Sequence, residues 1–202
     1  VHEADALDKL QPTAASHSRV MVLEVMGRDA GHIALAAGVA GGADIILIPE
    51  IPWSIEAVAR KVEQLRGTGR NFALVVVAEA VRREDGSPAR QAHGSGAVTY
   101  GGIGHYVGER IAQAIAAETR VSVLGHVQRG GSPGARDRIL ASAFGVHAVE
   151  LIAEGRFDHM VVWSDRQVKA VPIAEAIGKY QAVDPGDALV QTARGLGIAF
   201  GD

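Results

Sequence analysis

The sequence contains no cysteine, and aromatic residues make up only 4% of its 202 positions. The lack of cysteine excludes disulfide bonds and thiolate metal ligands. It also fits a reducing compartment, so we expect a cytoplasmic protein. Because aromatic residues are few, the core has to be built mainly from Ala, Val, Ile and Leu. The hydrophobic content of 48% supplies these residues and argues against disorder.

Strong net charge and long apolar runs are also missing. A formal charge of −3 gives no general attraction to nucleic acid, so a polyanion site would need a local cluster of arginines. The apolar runs are too short to cross a bilayer, and no signal peptide is recognisable. We therefore expect neither nucleic acid nor a membrane as a partner. The eight histidines are scattered without a pair at metal-binding spacing, so we expect no metal ion held by this chain alone.

The first residues suggest a continuation of a longer polypeptide. The chain begins without an initiator methionine, and Val1, Leu7 and Leu10 share one face of a helix predicted near 3–14. A start within or just before a helix is typical of a truncated chain. A processed amino terminus is the alternative.

Buried strands alternate with helices along most of the chain. Apolar runs predict strands, and 10–15-residue helical segments separate them. The predicted strands cover 19–25, 43–48, 72–77 and 121–124, and the predicted helices cover 31–41, 54–66, 101–117 and 135–153. This alternation predicts an α/β fold with βαβ units around a parallel sheet. Residues 80–99 hold several Gly and Pro and predict a loop or hairpin, and 160–171 predict a hairpin turned at Asp165.

Polar residues follow the predicted strands, at the sheet edge where α/β proteins bind ligands. Glu24 to Arg28, Pro49-Glu50, Ala78-Glu79 and Gly125 to Pro133 occupy these positions. The last is the strongest signal, because His126 and Arg129 stand beside Gly130 and Gly131 before a helix. Backbone N–H groups, a helix N-terminus and a guanidinium suit a phosphate. A helix-capping turn with a solvated arginine remains the alternative.

Two arginines and one glycine-rich run are less informative on their own. Arg19 and Arg120 begin strands, so each lies at the opposite end from its own strand-end loops. Such an arginine usually pairs with a nearby acid, and it could bind a ligand only across a subunit interface. The glycines between Gly94 and Gly104 lack the Lys-Ser/Thr of a Walker motif, and we interpret them as a flexible loop that leads into a helix.

Several of these stretches closely resemble bacterial-type phosphofructokinases. The similar stretches follow the family's order over nearly the whole chain, and Gly-His-x-Gln-Arg-Gly-Gly-Ser-Pro is highly specific. They are Ser16 to Arg28, Gly38 to Glu50, Gly101 to Tyr106, Glu118 to Pro133 and Asp137 to Gly145. The resemblance implies a 6-phosphofructokinase, a glycolytic transferase that moves a phosphoryl group to the 1-hydroxyl of fructose 6-phosphate.

The resemblance also implies roles for particular residues. Met26, Gly27 and Arg28 would line the sugar, with Arg28 as the catalytic residue near the transferring phosphoryl group. Glu79 would accept a hydrogen bond from a sugar hydroxyl. His126 and Arg129 would hold the 6-phosphate. Arg19 and Arg120 match family arginines that reach into a neighbouring subunit's site, which implies a homo-oligomer, a dimer or a tetramer, with shared sites.

The donor side of the reaction is expected outside this chain. By resemblance, the family's nucleotide loop, its Mg²⁺-positioning acid and the aspartate that serves as base precede the equivalent of residue 1. Mg²⁺ with ATP or pyrophosphate would therefore bind mainly to those parts, and the sequence leaves the choice of donor open. No cofactor-binding or metal-binding residue is assigned here, and we expect the isolated chain to be inactive. A non-catalytic sugar-phosphate-binding or regulatory subunit is the alternative function.

The family pattern also implies how the chain divides. Residues 1–117 would form the fructose-6-phosphate-binding lobe and 118–183 the carboxyl-terminal part of the donor lobe. A last helix in 184–202 would pack back on the first lobe. Two departures stand out: Asp29 follows Arg28, where the family often has His or Tyr, and Gln11 replaces an effector-binding arginine. An acid beside Arg28 would partly neutralise it, and we expect no effector regulation.

Overall fold

A computed structural model describes residues 2–92, 98–178 and 181–202. The sequence predictions for Val1, Gly94 and Gly96 concern residues outside these ranges. The helices are α1 His2–His17, α2 His32–Ala40, α3 Ile55–Gly67, α4 Ile103–Ile115, α5 Ala135–Ala153, α6 Ile173–Ile177 and α7 Ala188–Gly195. The strands are β1 Val20–Val25, β2 Ile45–Leu47, β3 Ala73–Ala78, β4 Arg90–Ala92, β5 Val98–Tyr100, β6 Thr119–Val123, β7 His159–Ser164 and β8 Gln167–Pro172. A 3-10 helix covers Gly125–Arg129.

A four-stranded sheet with the order β2-β3-β1-β6 forms the centre of the fold. All three pairings are parallel, which confirms the predicted α/β class. Every residue of β1 and β3 is buried, as expected for strands that helices cover on both faces. The register aligns the strand ends, since Val25 lies opposite Ala78 and Glu24 lies opposite Val123. The loops after β1, β3 and β6 therefore start at the same edge of the sheet.

Local sequence signals explain several element limits. Ser54 begins α3, and its side-chain oxygen accepts the N–H of Ala57 at 3.3 Å, as predicted from its position. Helix α5 has the predicted limits of 135 and 153. Strand β4 lies within the segment 80–99 and pairs antiparallel with β5, which begins at Val98, in agreement with the hairpin alternative.

The chain divides into two compact units. One contains the described residues up to Arg129 together with Ala182–Asp202, and the other is Gly130–Gln181. Strand β6 pairs with β1 and belongs to the first unit. The predicted lobe limits after 117 and 183 refer to a whole enzyme and stay a prediction. Which lobe of a whole enzyme each unit represents stays a prediction.

The last residues complete the first unit. Ala199 forms a parallel bridge with Ile45 at the free edge of β2, and it accepts the N–H of Ile46 at 2.9 Å. The next residue, Phe200, is fully buried in the same core. Residues far apart in sequence thus build one core, which consists almost entirely of Ala, Val, Ile and Leu as the composition predicts.

The second unit contains α5, the hairpin β7–β8 and α6. Asp165 and Arg166 have φ angles of 51° and 60° between the two strands, which confirms the predicted turn. Many of its apolar side chains are exposed, among them Val146, Val149, Phe157 and Trp163. No helix in the described ranges is both long and apolar enough to cross a membrane.

Candidate functional site

A cavity of about 830 Å³ lies at the carboxyl ends of β1, β3 and β6. Four of the predicted site residues line it: Met26, Arg28, Glu79 and His126. Its other polar lining residues are two acids, a second arginine, a tyrosine and a second histidine, and three glycines also line it. These residues are Glu24, Asp29, Arg90, Tyr100, His105, Gly101, Gly102 and Gly125. The sheet register therefore brings together residues that lie up to 102 positions apart in the sequence, as Met26 and Gln128 do.

The loop after β1 is shaped by one carboxylate from the end of β3. Oε1 of Glu79 accepts the N–H groups of Gly27 at 3.1 Å and Arg28 at 2.7 Å. A side chain at position 27 would not fit, because a Cβ there would lie 2.5 Å from the carbonyl oxygen of Ala30. Arg28 itself has a φ of 55°, and 90% of its side chain is exposed. Glu79 thus fixes the backbone of the loop, while the Arg28 guanidinium stays accessible to solvent at the cavity.

The 3-10 helix after β6 is tied to the same loop. Oε1 of Gln128 accepts the N–H of Met26 at 2.8 Å, and the Gln128 amide donates to Glu3 of α1 at 2.7 Å. His126 and Arg129 are three residues apart, so they project from the same face of the 3-10 helix. His126 lines the cavity, whereas Arg129 is exposed at the end of this helix, beyond the lining residues.

Glu24 is a buried acid at the floor of the cavity. Only 3% of it is exposed, and its Oε2 accepts the N–H of Gly104 at 2.8 Å, in the first turn of α4. Burial raises the pKa of Glu24, although the hydrogen bonds from Gly104 and Gly102 and the nearby His105 oppose the shift. A Cβ at position 104 would approach both Cβ and Oε2 of Glu24 to 3.0 Å, so a larger residue there would force Glu24 to shift.

The hairpin β4–β5 forms the side of the cavity nearest Asp29. The hydroxyl of Tyr100 donates to Oδ1 of Asp29 at 2.7 Å. The guanidinium of Arg90 lies 6.0 Å from the centre of the Tyr100 ring. The hydrogen bond to Asp29 raises the pKa of Tyr100, because ionised Tyr100 would face a carboxylate.

The other polar strand end, Pro49-Glu50, has a structural role. Oε1 of Glu50 accepts the N–H groups of Gly31 at 3.0 Å and Val183 at 2.9 Å. It thereby fixes the start of α2 to the carboxyl-terminal segment, and it does not line the cavity. At the predicted polar edge, Glu50 therefore stabilises the fold, whereas other polar residues of this edge face the cavity.

Arg19 and Arg120 lie at the opposite, amino end of the sheet, as predicted from their positions at strand starts. Arg19 immediately precedes β1, and its Nη2 lies 2.9 Å from Oε1 of Glu118. Arg120 is paired with Met21 in the register and forms an ion pair with the same Glu118 oxygen. The ion pair with Arg19 is the main cause of a lowered pKa for Glu118. Within one chain these arginines serve as partners of Glu118.

Sequence reasoning assigned no site role to five cavity residues, although it placed Glu24 at the polar edge: Glu24, Asp29, Arg90, Tyr100 and His105. Asp29 was noted only as a neighbour of Arg28. Glu24 gives a usable signal, since it is a charged residue within the apolar run Val20 to Val25 that leads directly to the Arg28 loop. Tyr100 and Arg90 give none, because their place depends on the pairing of β4 with β5.

Among the described residues, no group of three or more His, Asp or Glu side chains is arranged to hold a metal ion. The geometry therefore defines an α/β protein with a mixed cationic and acidic ligand cavity at the carboxyl edge of a parallel sheet. Arginine, histidine and backbone N–H groups at this edge suit a phosphorylated ligand.

The comparisons make that class specific. Residues 2–152 match the family model described as phosphofructokinase. The chain is 63% identical over 198 residues to "ATP-dependent 6-phosphofructokinase 1" of Synechocystis, covering 98% of this chain and 55% of that protein. It is 54% identical to "ATP-dependent 6-phosphofructokinase" of Chloroflexus aurantiacus, covering 98% of this chain and 54% of that protein. The chain belongs to the phosphofructokinase family, and it spans about half the length of the curated relatives that it matches.

Solved structures agree with this assignment. Phosphofructokinase from Saccharomyces cerevisiae matches with a TM-score of 0.72 and 32% identity, covering 87% of this chain and 22% of that chain. A pyrophosphate-dependent phosphofructokinase from Marinobacter aquaeolei matches with a TM-score of 0.73 and 23% identity, covering 98% of this chain and 53% of that chain. The second likeness, at this identity, concerns the fold alone.

Proposed function

We propose that this chain provides the sugar-phosphate side of a 6-phosphofructokinase and binds fructose 6-phosphate in the cavity at the carboxyl edge of the sheet. The observation that carries the proposal is the convergence of Met26, Arg28, Glu79 and His126 from three strand ends on one cavity. The names of the curated relatives support the same reaction and favour ATP over pyrophosphate as the donor. Whole-enzyme activity is a proposal, because the chain spans only part of those relatives.

Each cavity residue has a defined task in this proposal. In the reaction, the 1-hydroxyl oxygen of the sugar bonds to the transferred phosphorus while the bond to the donor's leaving oxygen breaks. The hydroxyl proton passes to the base, which the family resemblance places outside this chain. The exposed guanidinium of Arg28 would stabilise the charge on the transferring group. No described residue donates to Oε2 of Glu79, so that oxygen would accept a sugar hydroxyl. His126 and Arg129, on one face of the 3-10 helix, would hold the 6-phosphate.

The donor side is assigned to other parts of the enzyme. None of the 202 residues matches the family's nucleotide loop or its base, and the described residues offer no acidic cluster for Mg²⁺. We therefore expect Mg²⁺ to bind mainly to those other parts and expect no turnover from the isolated 202-residue polypeptide. Assembly into an oligomer and a cytoplasmic location stay predictions.

The proposal is tested with Arg28→Ala in a full-length phosphofructokinase that carries these residues. Removing one preorganised charge donor to a transition state lowers kcat by about 10²- to 10³-fold. We expect a loss of this size, with a smaller change in the KM for fructose 6-phosphate. A coupled assay of fructose 1,6-bisphosphate formation measures both. Arg60→Ala, on the exposed face of α3, is the matched control and should leave both constants unchanged. An unchanged kcat in Arg28→Ala would show that the assignment of Arg28 is wrong.

A further inference from the structure

The sheet ends in an unusual way where β6 turns into the 3-10 helix Gly125–Arg129. Leu124 still belongs to the ladder between β1 and β6, because its N–H donates to the carbonyl of Glu24 at 3.2 Å. In a regular parallel ladder the carbonyl of Leu124 would then accept the N–H of Met26. That carbonyl instead accepts the N–H of Val127 at 3.3 Å, within the new turn. The N–H of Met26 therefore needs another acceptor.

The side chain of Gln128 supplies the missing acceptor. Its Oε1 accepts the N–H of Met26 at 2.8 Å and so takes the place of the next backbone carbonyl of β6. Gln128 is partly buried, whereas His126, Val127 and Arg129 of the same 3-10 helix are exposed. With three residues per turn, Gln128 projects from a different side of the helix than His126 and Arg129. One side of the helix is thus bonded to the sheet, and the side with His126 and Arg129 stays open to a ligand.

The same hydrogen bond completes the support of the loop that carries Arg28. Three consecutive N–H groups of this loop donate to side-chain oxygens from the two strands that flank β1. Gly27 and Arg28 donate to Glu79, at the end of β3, and Met26 donates to Gln128, after β6. The contact between Gln128 and Met26 therefore joins the Arg28 loop directly to the 3-10 helix.

We propose that Gln128 is a positioning residue that sets the spacing between Arg28 and the pair of His126 and Arg129, and so fits the cavity to the length of its ligand. The naming of that ligand as fructose 6-phosphate, with its 6-phosphate at the helix and its 1-hydroxyl near Arg28, rests on the proposed function. The link itself depends on the contact of Gln128 with Met26.

The kinetic test is Gln128→Met in a full-length phosphofructokinase that carries these residues. Methionine has a similar length but lacks the amide acceptor. Because the loop and the helix lose their common hydrogen bond, we expect kcat to fall and the KM for fructose 6-phosphate to rise. Each change should be about two- to tenfold, the range of one neutral hydrogen bond. Gln64→Met, on the exposed face of α3, is the matched control and should leave both constants unchanged.

Double variants separate a positioning role from a general loss of stability. If Gln128 acts through Arg129, Gln128→Met should raise the KM by a smaller factor when Arg129→Ala is already present. If it acts through Arg28, Gln128→Met should likewise lower kcat by a smaller factor when Arg28→Ala is present. A purely structural defect would change both constants by the same factor in every background. Factors that multiply fully in both double variants would overturn the inference.

A measurement without turnover separates this inference from the proposed function. Hydrogen–deuterium exchange, with mass spectrometry that resolves single amides, reports the bond of the Met26 N–H. We expect this amide to exchange about two- to tenfold faster in Gln128→Met. Gln128→Asn, which is one methylene too short to reach Met26, should do the same and serves if Gln128→Met does not fold.

The two readouts can fail independently. If Arg28→Ala leaves kcat unchanged, the catalytic assignment of Arg28 is wrong, while the exchange of the Met26 amide still decides whether Gln128 holds the loop. If both Gln128 variants leave that exchange unchanged, the positioning role of Gln128 is wrong, whatever the kinetics of Arg28→Ala.

Discussion

The two ends of the central sheet hold charged residues in opposite ways. At the carboxyl end, the carboxylates of Glu24 and Glu79 accept backbone N–H groups, so Arg28 remains exposed in the cavity. At the amino end, Arg19 and Arg120 share the single carboxylate of Glu118, which offsets part of their combined positive charge. The first arrangement prepares a cavity for a ligand. The second places both arginines beside Glu118, at the end of the sheet opposite the cavity of the same subunit.

Arg129→Ala in the full-length enzyme tests most clearly whether the carboxyl end of the sheet binds the 6-phosphate of the sugar. We expect the KM for fructose 6-phosphate to rise about 10- to 100-fold, because a charge-assisted hydrogen bond contributes roughly 1.5–3 kcal/mol. The KM for the donor should change much less. Steady-state kinetics with each substrate varied in turn measure the two effects, and Arg60→Ala again serves as the control. An unchanged sugar-phosphate KM would favour the helix-capping alternative for this turn.

The amino end should matter to the sugar-phosphate site only through an oligomer. Arg120→Ala should raise the same KM, by less than Arg129→Ala because the ion pair with Glu118 already offsets part of the Arg120 charge. Mixing Arg120→Ala subunits with Arg129→Ala subunits should regenerate some intact sites if the two arginines come from different chains. Subunit exchange is verified first by mass spectrometry. If the mixtures recover no activity, Arg120 does not contribute to the neighbouring subunit's site, and its role is the ion pair with Glu118.

Removing Glu24 should destabilise the carboxyl end of the sheet. Glu24→Ala leaves the buried N–H of Gly104 without its acceptor, which costs about 1–3 kcal/mol. Urea denaturation monitored by circular dichroism measures the free energy of unfolding. Glu109→Ala, on the exposed face of α4, is the matched control and should change it by less than about 0.5 kcal/mol. Equal effects of the two substitutions would contradict the anchoring role of Glu24.

The smallest expected effect is a difference in pH dependence between the ends. The pKa of Glu24 is raised above its ordinary value of 4.5, so its contribution to stability is present below pH 4.5 and is lost as the pH rises through the folded-state pKa. The pKa of Glu118 is lowered from 4.5, so its contribution is present above pH 4.5 and is lost as the pH falls through the folded-state pKa.

Unfolding curves between about pH 3 and pH 7 for Glu24→Gln and Glu118→Gln measure this difference. Relative to its variant, the parent protein should lose stability with rising pH at Glu24 and gain it at Glu118. If the stability difference between parent and variant changed with pH in the same direction at both positions, the two ends would not differ in their pH dependence.

Sequence patterns predicted the features that depend on local chemistry. The apolar runs of β1 and β3 identified buried parallel strands, and strand direction alone placed Arg28 and Glu79 at one edge and Arg19 at the other. Ser54 was recognisable as a helix start because its side chain caps the backbone only three residues away.

Features that depend on distant pairing were beyond sequence reasoning. The contact of Tyr100 with Asp29 requires the β4–β5 register, and the structural role of Glu50 requires a segment that begins 133 residues later, at Val183. That β6 pairs with β1 was likewise not evident from its apolar pattern, and the predicted lobe limits after 117 and 183 stay a prediction. The predicted place of Arg129 in the site also stays a prediction, since it lies beyond the residues that line the cavity.

The bridge between Ile45 and Ala199 has a practical consequence for engineering this chain. Residues 182–202 complete the first unit through backbone pairing with β2 and through the buried side chains of Val190, Ala193 and Phe200. A peptide of these residues is therefore suited to fragment complementation, in which it adds to a polypeptide that ends at Arg129. A reporter divided between these two pieces would report assembly of the first unit without residues 130–181.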